Sequence, residues 1–566
     1  MQTFTDAIRN ALASEAGLDL DEIKLELPRN AEMGDFAFPC FVLAKKLKNA
    51  PPKIAAELEG KLNAKLDGIV AKATGPYLNF KIDRALLAST VLNEIMKHGE
   101  RYGSSDEGAG KHIVIDLSSP NIAKPMSVGH LRSTVIGAAV QRVHDFLGYE
   151  TTGINHIGDW GSQFGKLVVA VKRWGDTVDL ENNAILALFD LYGRYHEEEE
   201  QDPSLDEDSR AAFRELESGV DGEVRALWHK LTDLSMVEFN KVYTRLGVTF
   251  DEIRGEAYYE SHLDKTVDRI VESGITEISD GALVVDLSSF DKNIPPCLLR
   301  KSDGTTLYAT RDFAAAFHRW ELYEFTRCLY VVGGDQRLHF RQLKLVLERM
   351  GMAWEPSMEH IDFGMMRLPE GKMSTRKKRV VFLEDVLDAA VTKVKERLVD
   401  EDRQVSDPEH VAEAVGVGAV IFNDLRRERI RDVEFDWDEV LSFQGETGPY
   451  VQYTHARLAA IERKVAAAGG TAADPDWAPL ENAAGMIVSM GRFQEIVRKA
   501  ATEAEPSVIA AYLLGLCREV NSWLHENRVL GQEPGVTAGR LAFVGSAKSV
   551  IGNGLRLLGL IALEEM

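Results

Sequence analysis

A polar loop that ends at a predicted helix start holds residues suited to bind a phosphate group. Residues 113–117 form a β-branched apolar run, which predicts a buried strand, and apolar residues recur at helical spacing over residues 131–147. Ser127, Gly129 and His130 lie between these two elements. A helix start presents unpaired N–H groups and partial positive charge, glycine permits close approach, and histidine adds a donor. The sequence therefore predicts a phosphate site, with a packed βα unit as the alternative.

Further polar side chains follow the predicted strand directly. Asp116, Ser119 and Asn121 stand at its carboxyl end, where open α/β sheets bind their ligands. Lys124 follows in the same loop and is a candidate cation for a nucleotide, with an ordinary surface lysine as the alternative. We expect these side chains to border one ligand crevice.

A second pair of predicted elements offers complementary groups. Tyr308 and Asp312 are four residues apart where the chain runs into a helix, so they share a helix face. Residues 328–333 predict a strand that ends in glycines, and Gln336 follows it. The pair presents an aromatic wall and a carboxylate in one direction, although a packed tyrosine beside a helix-end charge is the alternative.

Basic residues cluster in two later stretches. Residues 371–379 contain Lys372, Met373 and Ser374, and four basic side chains follow at positions 376–379. A cation on a flexible loop can meet the charge that builds on nucleotide phosphates in a transition state. The second stretch begins at Arg426. A solvated charged surface is the alternative for both.

Composition limits the function classes. The 566 residues carry a net charge of −23, which is unusual for a nucleic-acid binder, although local basic strips can still contact phosphates. No apolar run reaches the length of a membrane span, and the N-terminus lacks the basic start and apolar core of a secretory signal. The cysteines, at 40, 297, 328 and 517, form no metal or disulfide pattern. We predict a cytoplasmic protein with no metal site and no membrane or DNA partner.

Composition shifts divide the chain into three predicted units. Residues 1–108 read as a small α+β unit, and residues 109–440 as an α/β unit with a parallel sheet. Within the latter, about residues 170–290 are charged and predicted to be a helical insertion. Residues 441–566 show helical periodicity only. A plain bundle for oligomerisation is the alternative for this last unit.

The motifs together resemble a known family. SSPNIAKPMSVGHLRSTVIG, residues 118–137, resembles the first signature of class I aminoacyl-tRNA synthetases in the form found in arginyl-tRNA synthetases. Later segments resemble other parts of that family, namely GDWG (158–161), YATRD (308–312), VVGGDQRLH (331–339), the "KMSKS"-type segment from 372 and GETGPYVQYTHAR (445–457).

The resemblance covers nearly the whole chain and implies a multidomain α/β protein. It implies a class I Rossmann-type catalytic domain, a small N-terminal domain that contacts the tRNA core, and an all-α anticodon-binding domain. The implied reaction joins L-arginine to ATP as arginyl-adenylate with release of pyrophosphate. The 2′-hydroxyl at the end of the tRNA for arginine then takes the arginyl group. The resemblance further implies that magnesium accompanies ATP, that activation requires bound tRNA and that the chain acts as a monomer.

The residue chemistry and the resemblance together assign roles to individual side chains. A guanidinium offers a planar fork of donors, so its pocket requires carboxylates, amide oxygens and a flat wall. The predicted catalytic residues are His130, Lys372 and Lys124. The predicted ATP-binding residues are Ser127, Gly129, His130, Lys372, Met373 and Ser374. The predicted arginine-binding residues are Ser119, Asn121, His130, Tyr308, Asp312, Gln336 and, as a weaker candidate, Asp116. The predicted tRNA-binding residues are Tyr450, Gln452, Arg457 and Arg426.

Two positions depart from the family pattern. Ser127 stands where the first signature usually begins with histidine, and Thr375 stands where the second signature usually has another lysine. A hydroxyl can donate to phosphate but cannot carry positive charge. Two alternatives stay open at this point, a non-catalytic paralogue that binds tRNA and a shorter nucleotidylyltransferase of the same superfamily.

Overall fold

The structure, a computed structural model, describes residues 1–28, 30–180, 184–367, 381–401, 403–434, 436–440, 445–470 and 472–566, without the side chains of residues 31, 308, 437 and 440. The helices, numbered in chain order, are α1 (Gln2–Ala16), α2 (Phe41–Leu47), α3 (Pro51–Asn63), α4 (Arg84–His98), α5 (Val128–Phe146), α6 (Ser162–Trp174), α7 (Ala184–Glu199), α8 (Ser204–Glu217), α9 (Glu223–Leu246), α10 (Leu263–Glu272), α11 (Tyr308–Tyr323), α12 (Arg337–Arg349), α13 (Leu383–Asp400), α14 (Pro408–Leu425), α15 (Trp437–Val440), α16 (Gly448–Ala467), α17 (Ala484–Gly491), α18 (Phe493–Glu503), α19 (Ser507–Glu526) and α20 (Pro534–Leu558). The strands are β1 (Phe36–Pro39), β2 (Ile69–Thr74), β3 (Tyr77–Ile82), β4 (His112–Asp116), β5 (Glu150–Asn155), β6 (Glu252–Ile253), β7 (Thr276–Ser279), β8 (Ala282–Val285), β9 (Cys297–Arg300), β10 (Arg327–Tyr330), β11 (Met358–His360), β12 (Met366–Arg367) and β13 (Val433–Glu434).

The N-terminal unit is a three-stranded antiparallel sheet with helices beside it. The strand order is β1-β3-β2, and α3 packs on β2 and β3. Alternate residues of β2 point inward, with Ile69 and Ala71 buried while Val70 is exposed, which is the period of a sheet with one covered face. The predicted α+β fold is confirmed.

A five-stranded parallel sheet forms the centre of the catalytic unit. Its strand order is β11-β10-β4-β5-β6, so β4 is the middle strand. Residues of β4 are buried on both faces, which explains its continuous apolar run. After β4 the chain passes through α5 to β5 on one side, while β10 pairs on the other. The crevice between the carboxyl ends of β4 and β10 is therefore the switch point of the sheet, where such folds bind ligands.

The predicted helical insertion is helical over a shorter range than expected. Helices α6 to α9 reach Leu246, after which β6 joins the edge of the parallel sheet. Strands β7, β8 and β9 then form a separate antiparallel sheet. The prediction of a helical insertion up to about residue 290 was wrong at these strands, because they lack the alternating apolar pattern that identifies a strand in a sequence. Strand β6 has only two residues, and β7 is exposed along most of its length.

The C-terminal unit is helical, as predicted. At its entry the hydroxyl of Thr447 accepts a hydrogen bond from the N–H of Tyr450, and Pro449 occupies the first turn. The capping bond and the proline both favour a helix start at Gly448. Helix α20 packs against α4, and Asn553 Nδ2 donates to the carbonyl of Tyr102 at 3.0 Å. The N-terminal and C-terminal units therefore touch each other.

In the described part of the chain, no helix is long and apolar enough to cross a membrane. The cysteines are buried and free, as expected from their spacing.

Candidate active site

The loop after β4 is held in a strained shape by side chains from β5 and α9. Ser118, Ser119 and Ala123 have φ angles of 72°, 53° and 59°, in the left-handed region that non-glycine residues rarely adopt. The N–H of Ser119 donates to Oδ1 of Asn155 at 3.2 Å, and the N–H of Ala123 donates to Oγ of Ser235 at 2.9 Å. Strain of this kind persists only where the surroundings fix it, and it clusters at functional sites.

Helix α9 of the insertion also contacts this loop through a buried tyrosine. The hydroxyl of Tyr243 lies 2.8 Å from Oγ of Ser118 and accepts a hydrogen bond from Nδ2 of Asn155 at 3.1 Å. Burial raises the pKa of Tyr243 to about 12, so the phenol is neutral. The insertion therefore positions the signature loop, a role that the charged sequence of this region did not indicate.

Ser127 and His130 cap the start of α5. The N–H of Ser127 donates to Nδ1 of His130 at 3.0 Å, and Oγ of Ser127 lies 3.1 Å from the same nitrogen. Since Nδ1 accepts this bond, the neutral ring carries its proton on Nε2 and donates from there. Burial and the nearby Lys124 ammonium lower the pKa of His130 to about 4. At neutral pH His130 is a hydrogen-bond donor and not a cation.

Lys124 is close enough to this helix start for its ammonium to act on His130. Its Nζ lies 5.6 Å from the ring centre of Tyr192 on α7. A cation at this distance over an aromatic face is attracted to the ring. Lys124 therefore lies between the aromatic ring of Tyr192 and the region of His130, and its role as a cation for the nucleotide stays a prediction.

The chain that follows the second signature pairs with the first signature. The N–H of Leu383 donates to the carbonyl of Met126 at 2.9 Å, and the N–H of Val128 donates to the carbonyl of Val381 at 3.1 Å. These bonds form a short antiparallel bridge at Ser127. The predicted nucleotide residues of the second signature lie outside the described residues, namely Lys372, Met373 and Ser374.

Asp116 is occupied by a side chain of the protein itself. Nη2 of Arg319 donates to Oδ2 of Asp116 at 2.7 Å, and Oγ of Ser119 donates to Oδ1 at 3.0 Å. Asp116 is 5% exposed and Arg319 is fully buried. The prediction that Asp116 binds the arginine substrate does not fit this structure, because a buried guanidinium already neutralises the carboxylate.

Asp312 lies in the second turn of α11 and is paired with a histidine of α12. Nε2 of His339 lies 2.6 Å from Oδ2 of Asp312. Burial raises the pKa of this carboxyl, but the hydrogen bond from His339 and the positive charges of His156 and Arg319 outweigh it, so the pKa is lowered. Asp312 is therefore an ionised carboxylate. Tyr308 begins the same helix, and its side chain lies outside the described residues.

Glu256 is a second carboxylate of this region that sequence reasoning missed. Burial raises its pKa to about 7, and the negative charges of Asp312 and Asp159 act in the same direction, whereas Arg311 opposes them. The segment that carries Glu256 is fixed by Asp159, whose Oδ1 accepts the N–H of Ala257 at 2.8 Å. The segment that carries Glu256 packs on α11, and the carboxyl groups of Glu256 and Asp312 are close enough to influence each other. The sequence signal that could have identified Glu256 is its position just after a strand, but β6 is too short to be recognised from the sequence.

Asn121 and Gln336 lie at the ends of the two central strands. The backbone of Asn121 forms a parallel bridge with Gly158, and a Cβ at Gly158 would lie 2.4 Å from Oδ1 of Asn121, so only glycine permits this approach. Gln336 follows β10 in a short 3₁₀ turn. Both positions are half-buried near the switch point, and their contact with the arginine substrate stays a prediction.

Comparisons with known proteins agree with this geometry. The family model "tRNA synthetases class I (R), catalytic domain" matches residues 91–437, "Arginyl tRNA synthetase N terminal domain" matches residues 2–82, and "DALR anticodon binding domain" matches residues 451–566. The chain belongs to the class I arginyl-tRNA synthetase family.

Individual relatives extend over the whole chain. An arginine–tRNA ligase of Exiguobacterium sibiricum is 44% identical, with 100% of this chain and 99% of the relative covered, and one of Clostridioides difficile is 42% identical with both chains fully covered. The solved arginyl-tRNA synthetase of Thermus thermophilus has a TM-score of 0.82 at 26% identity, with both chains fully covered. A short nucleotidylyltransferase does not fit a chain of this extent.

The four residues predicted to contact tRNA differ in location. Gln452 is fully buried, and its Nε2 donates to the carbonyls of Ala414 and Ile561 at 3.1 and 3.0 Å. The prediction that Gln452 contacts tRNA does not fit, because the side chain faces the interior of the bundle. Arg457 is half-buried and donates to Oδ1 of Asn521 at 2.8 Å.

Tyr450 borders a cavity at the junction of α13, α14 and α16. The cavity has a volume of about 190 Å³. Tyr453, Arg397 and Arg403 line it together with Tyr450 and the C-terminal Met566. The guanidinium carbon of Arg403 lies 5.9 Å from the ring centre of Tyr453. Aromatic rings beside arginine side chains are the combination on which unstacked bases are bound.

Arg426 belongs to a basic strip whose charges are used within the protein. Arg426 and Arg427 both pair with Glu439, and Arg429 Nη1 lies 3.0 Å from Oδ1 of Asp362. These internal ion pairs leave the strip less suited to phosphate contact than its sequence indicates. The described residues contain no group of three or more histidine, cysteine, aspartate or glutamate side chains placed to hold a metal ion.

Proposed function

We propose that the chain is an arginine–tRNA ligase, which activates L-arginine with ATP and transfers it to the tRNA for arginine. The observations that carry this proposal are the capped helix start that follows the central strand β4 and the half-buried carboxylates of α11 and of the segment after β6. His130 marks the first, and Asp312 and Glu256 form the second. The names of the full-length relatives support the same activity.

The first step is a displacement at phosphorus. A carboxylate oxygen of arginine attacks the α-phosphorus of ATP, a new P–O bond forms, and the bond to the bridging oxygen of pyrophosphate breaks. The protein contributes by positioning both reactants and by placing donors where negative charge develops. Ser127, Gly129 and His130 hold the nucleotide at the start of α5, with Lys124 and Lys372 as cations and Met373 and Ser374 beside Lys372.

The arginine pocket selects a guanidinium. Asp312 and Glu256 accept from its N–H groups, and Tyr308 provides a flat wall. Ser119, Asn121, His130 and Gln336 hold the amino and carboxylate end of the substrate. A lysine substrate has three donors on a single nitrogen and leaves part of this pocket unpaired, which disfavours its binding by the cost of buried polar groups without partners.

In the second step the 2′-hydroxyl of the terminal adenosine attacks the carbonyl carbon of arginyl-adenylate. The new ester bond forms, AMP leaves, and the hydroxyl proton passes to a phosphate oxygen or to water. We assign residues 441–566 to anticodon binding, with an unstacked base in the cavity beside Tyr450 and with Arg457 of the same helix as a further contact. Residues 1–108 contact the tRNA core, and residues 109–440 carry the chemistry.

We further propose that magnesium enters with ATP as part of the nucleotide substrate, and that the chain works as a monomer in the cytoplasm. Direct transfer tests the proposed function. With ATP and magnesium, the purified chain should attach radiolabelled arginine to tRNA for arginine, and it should attach no lysine. Absence of arginylation by a folded chain that still binds this tRNA would favour the non-catalytic paralogue.

A further inference from the structure

Arg132 is a buried charge at the centre of the catalytic unit that the reaction as described does not use. It lies on α5, two residues after His130, and it is fully buried. Its Nε lies 2.9 Å from Oδ1 of Asp424, which is 3% exposed, although the angle is not that of a hydrogen bond, so the contact is an ion pair. Burial of such a pair is costly unless further hydrogen bonds satisfy both groups.

The two Nη atoms of Arg132 donate to three backbone carbonyls. Nη1 donates to the carbonyl of Gly364 at 2.5 Å and to that of Arg431 at 2.9 Å. Nη2 donates to the carbonyl of Arg429 at 3.2 Å. The ring centre of Phe363 lies 5.7 Å from the guanidinium carbon. One side chain therefore joins two separate segments, residues 363–364 and 429–431, to helix α5.

These two segments are also joined to each other. The N–H of Gly364 donates to the carbonyl of Arg429 at 2.8 Å, and strands β12 and β13 pair in parallel directly afterwards. A Cβ at Gly364 would lie 2.2 Å from the backbone of Arg431, so the two backbones can approach this closely only because residue 364 is glycine. Strand β12 ends at Arg367, where the chain enters the second signature region.

The other arginine of α5 makes simpler contacts. Arg142, near the far end of the same helix, donates from Nη2 to the carbonyl of Gly247 at 2.6 Å and has no contact with residues 363–367 among the described interactions. Arg142 thus bonds to one carbonyl. Arg132 instead bonds to three carbonyls and so holds the strand before the second signature against the helix that begins with the first signature. A lysine ammonium is a point charge and cannot reach the same three carbonyls from one position.

We propose that Arg132 is a positioning residue for ATP activation. It fixes residues 363–367, which lead into the second signature, relative to the helix start at Gly129 and His130. This inference rests on the proposed function, because it assigns a partner to the same nucleotide site. It makes no use of a contact between Arg132 and the substrate.

The test compares Arg132→Lys with Arg142→Lys in arginine- and tRNA-dependent ATP–pyrophosphate exchange. Rates are normalised to the fraction of active sites, and thermal unfolding is recorded for each variant. We expect Arg132→Lys to raise the KM for ATP or lower kcat at least tenfold while the KM for arginine changes less than twofold. Arg142→Lys should change all three values less than twofold. Gly364→Ala, which keeps the arginine but pushes apart the two segments that it joins, should reproduce the ATP-specific effect.

The inference is overturned if Arg132→Lys matches Arg142→Lys, or if the ATP and arginine parameters change in equal proportion, as a general loss of structure would cause. If Arg132→Lys does not fold, Gly364→Ala decides, and normal ATP parameters in that variant overturn the inference. A wild-type chain without exchange overturns the proposed function and this inference with it. Wild-type exchange with an unaffected Arg132→Lys variant removes only the inference.

Discussion

Arg319 donates a hydrogen bond to Asp116 at 2.7 Å, and together they place a buried ion pair at the carboxyl end of the central strand. The same carboxylate accepts from the hydroxyl of Ser119 at 3.0 Å. The guanidinium carbon of Arg319 lies 5.1 Å from the ring centre of Tyr330. The pair therefore holds the loop after β4 through Ser119. The guanidinium of Arg319 also acts on Asp312, which we assign to the pocket for the guanidinium of the substrate.

Removal of one partner of this pair should destabilise the fold strongly. Arg319→Met leaves the carboxylate of Asp116 buried without its counter-charge, which costs about 3–5 kcal/mol of the free energy of unfolding. The control is Arg210→Met, whose ion pair with Asp206 is exposed and should matter by less than about 1 kcal/mol. Urea unfolding measures both, and equal losses would contradict the account.

Asp312→Asn should raise the KM for arginine. The substitution removes one charge-assisted hydrogen bond to the guanidinium, which corresponds to about tenfold to a hundredfold. The KM for ATP should change less than about threefold, since Asp312 belongs to the arginine side of the crevice. Steady-state aminoacylation at varied arginine measures the effect, and unaltered arginine saturation would remove Asp312 from the pocket.

Arginine binding should strengthen as pH rises through 7. Burial raises the pKa of Glu256 to about 7, so the side chain is largely protonated at pH 6 and largely ionised at pH 8. Only the ionised form pairs with a guanidinium, and the KM for arginine should therefore fall by about tenfold over this interval. Glu256→Gln should raise the KM and abolish this dependence. A wild-type KM that is flat between pH 6 and 8 would exclude the assigned role.

Lys372→Ala should slow adenylate formation more than it weakens arginine binding. Loss of a cation that meets charge only in the transition state lowers kcat of ATP–pyrophosphate exchange by about a hundredfold. The KM for arginine should change less than about threefold. Lys393→Ala, at an exposed position on α13, is the matched control and should leave both values unchanged. Unchanged turnover in Lys372→Ala would refute the assigned role.

Tyr453→Ala should weaken tRNA binding. Tyr453 is 39% exposed and lines the cavity beside Tyr450, and base stacking on an aromatic ring contributes about 1–3 kcal/mol. The KM for tRNA should rise about fivefold to a hundredfold with the KM for arginine unchanged. Gln452→Leu, one helical position away but facing the interior, should leave the KM for tRNA within about twofold. A stronger effect at Gln452 than at Tyr453 would reverse this assignment.

The sequence predicts best those features that local spacing encodes. The strand before Ser118, the helix start at His130 and the shared helix of Tyr308 and Asp312 follow from apolar periodicity and turn residues close in the chain. The predicted parallel sheet and the helical C-terminal unit are confirmed for the same reason.

What the sequence could not predict depends on partners far along the chain. Arg319 reaches Asp116 across 203 residues, and Arg132 reaches Arg431 across 299. Which carboxylate is free for a substrate is decided by such pairs, so Asp116 was misassigned and Glu256 was missed. Gln452 was misassigned because a motif names residues but not the helix face that packs inward.

The most direct test of the proposed activity is ATP–pyrophosphate exchange with arginine, measured with and without tRNA for arginine and beside a lysine control. The account predicts exchange that requires arginine, is absent with lysine, and appears when tRNA is added. Absence of exchange in all conditions, with tRNA still bound, would contradict the proposed function and direct attention to Ser127. Equal exchange with lysine would contradict the assigned guanidinium pocket.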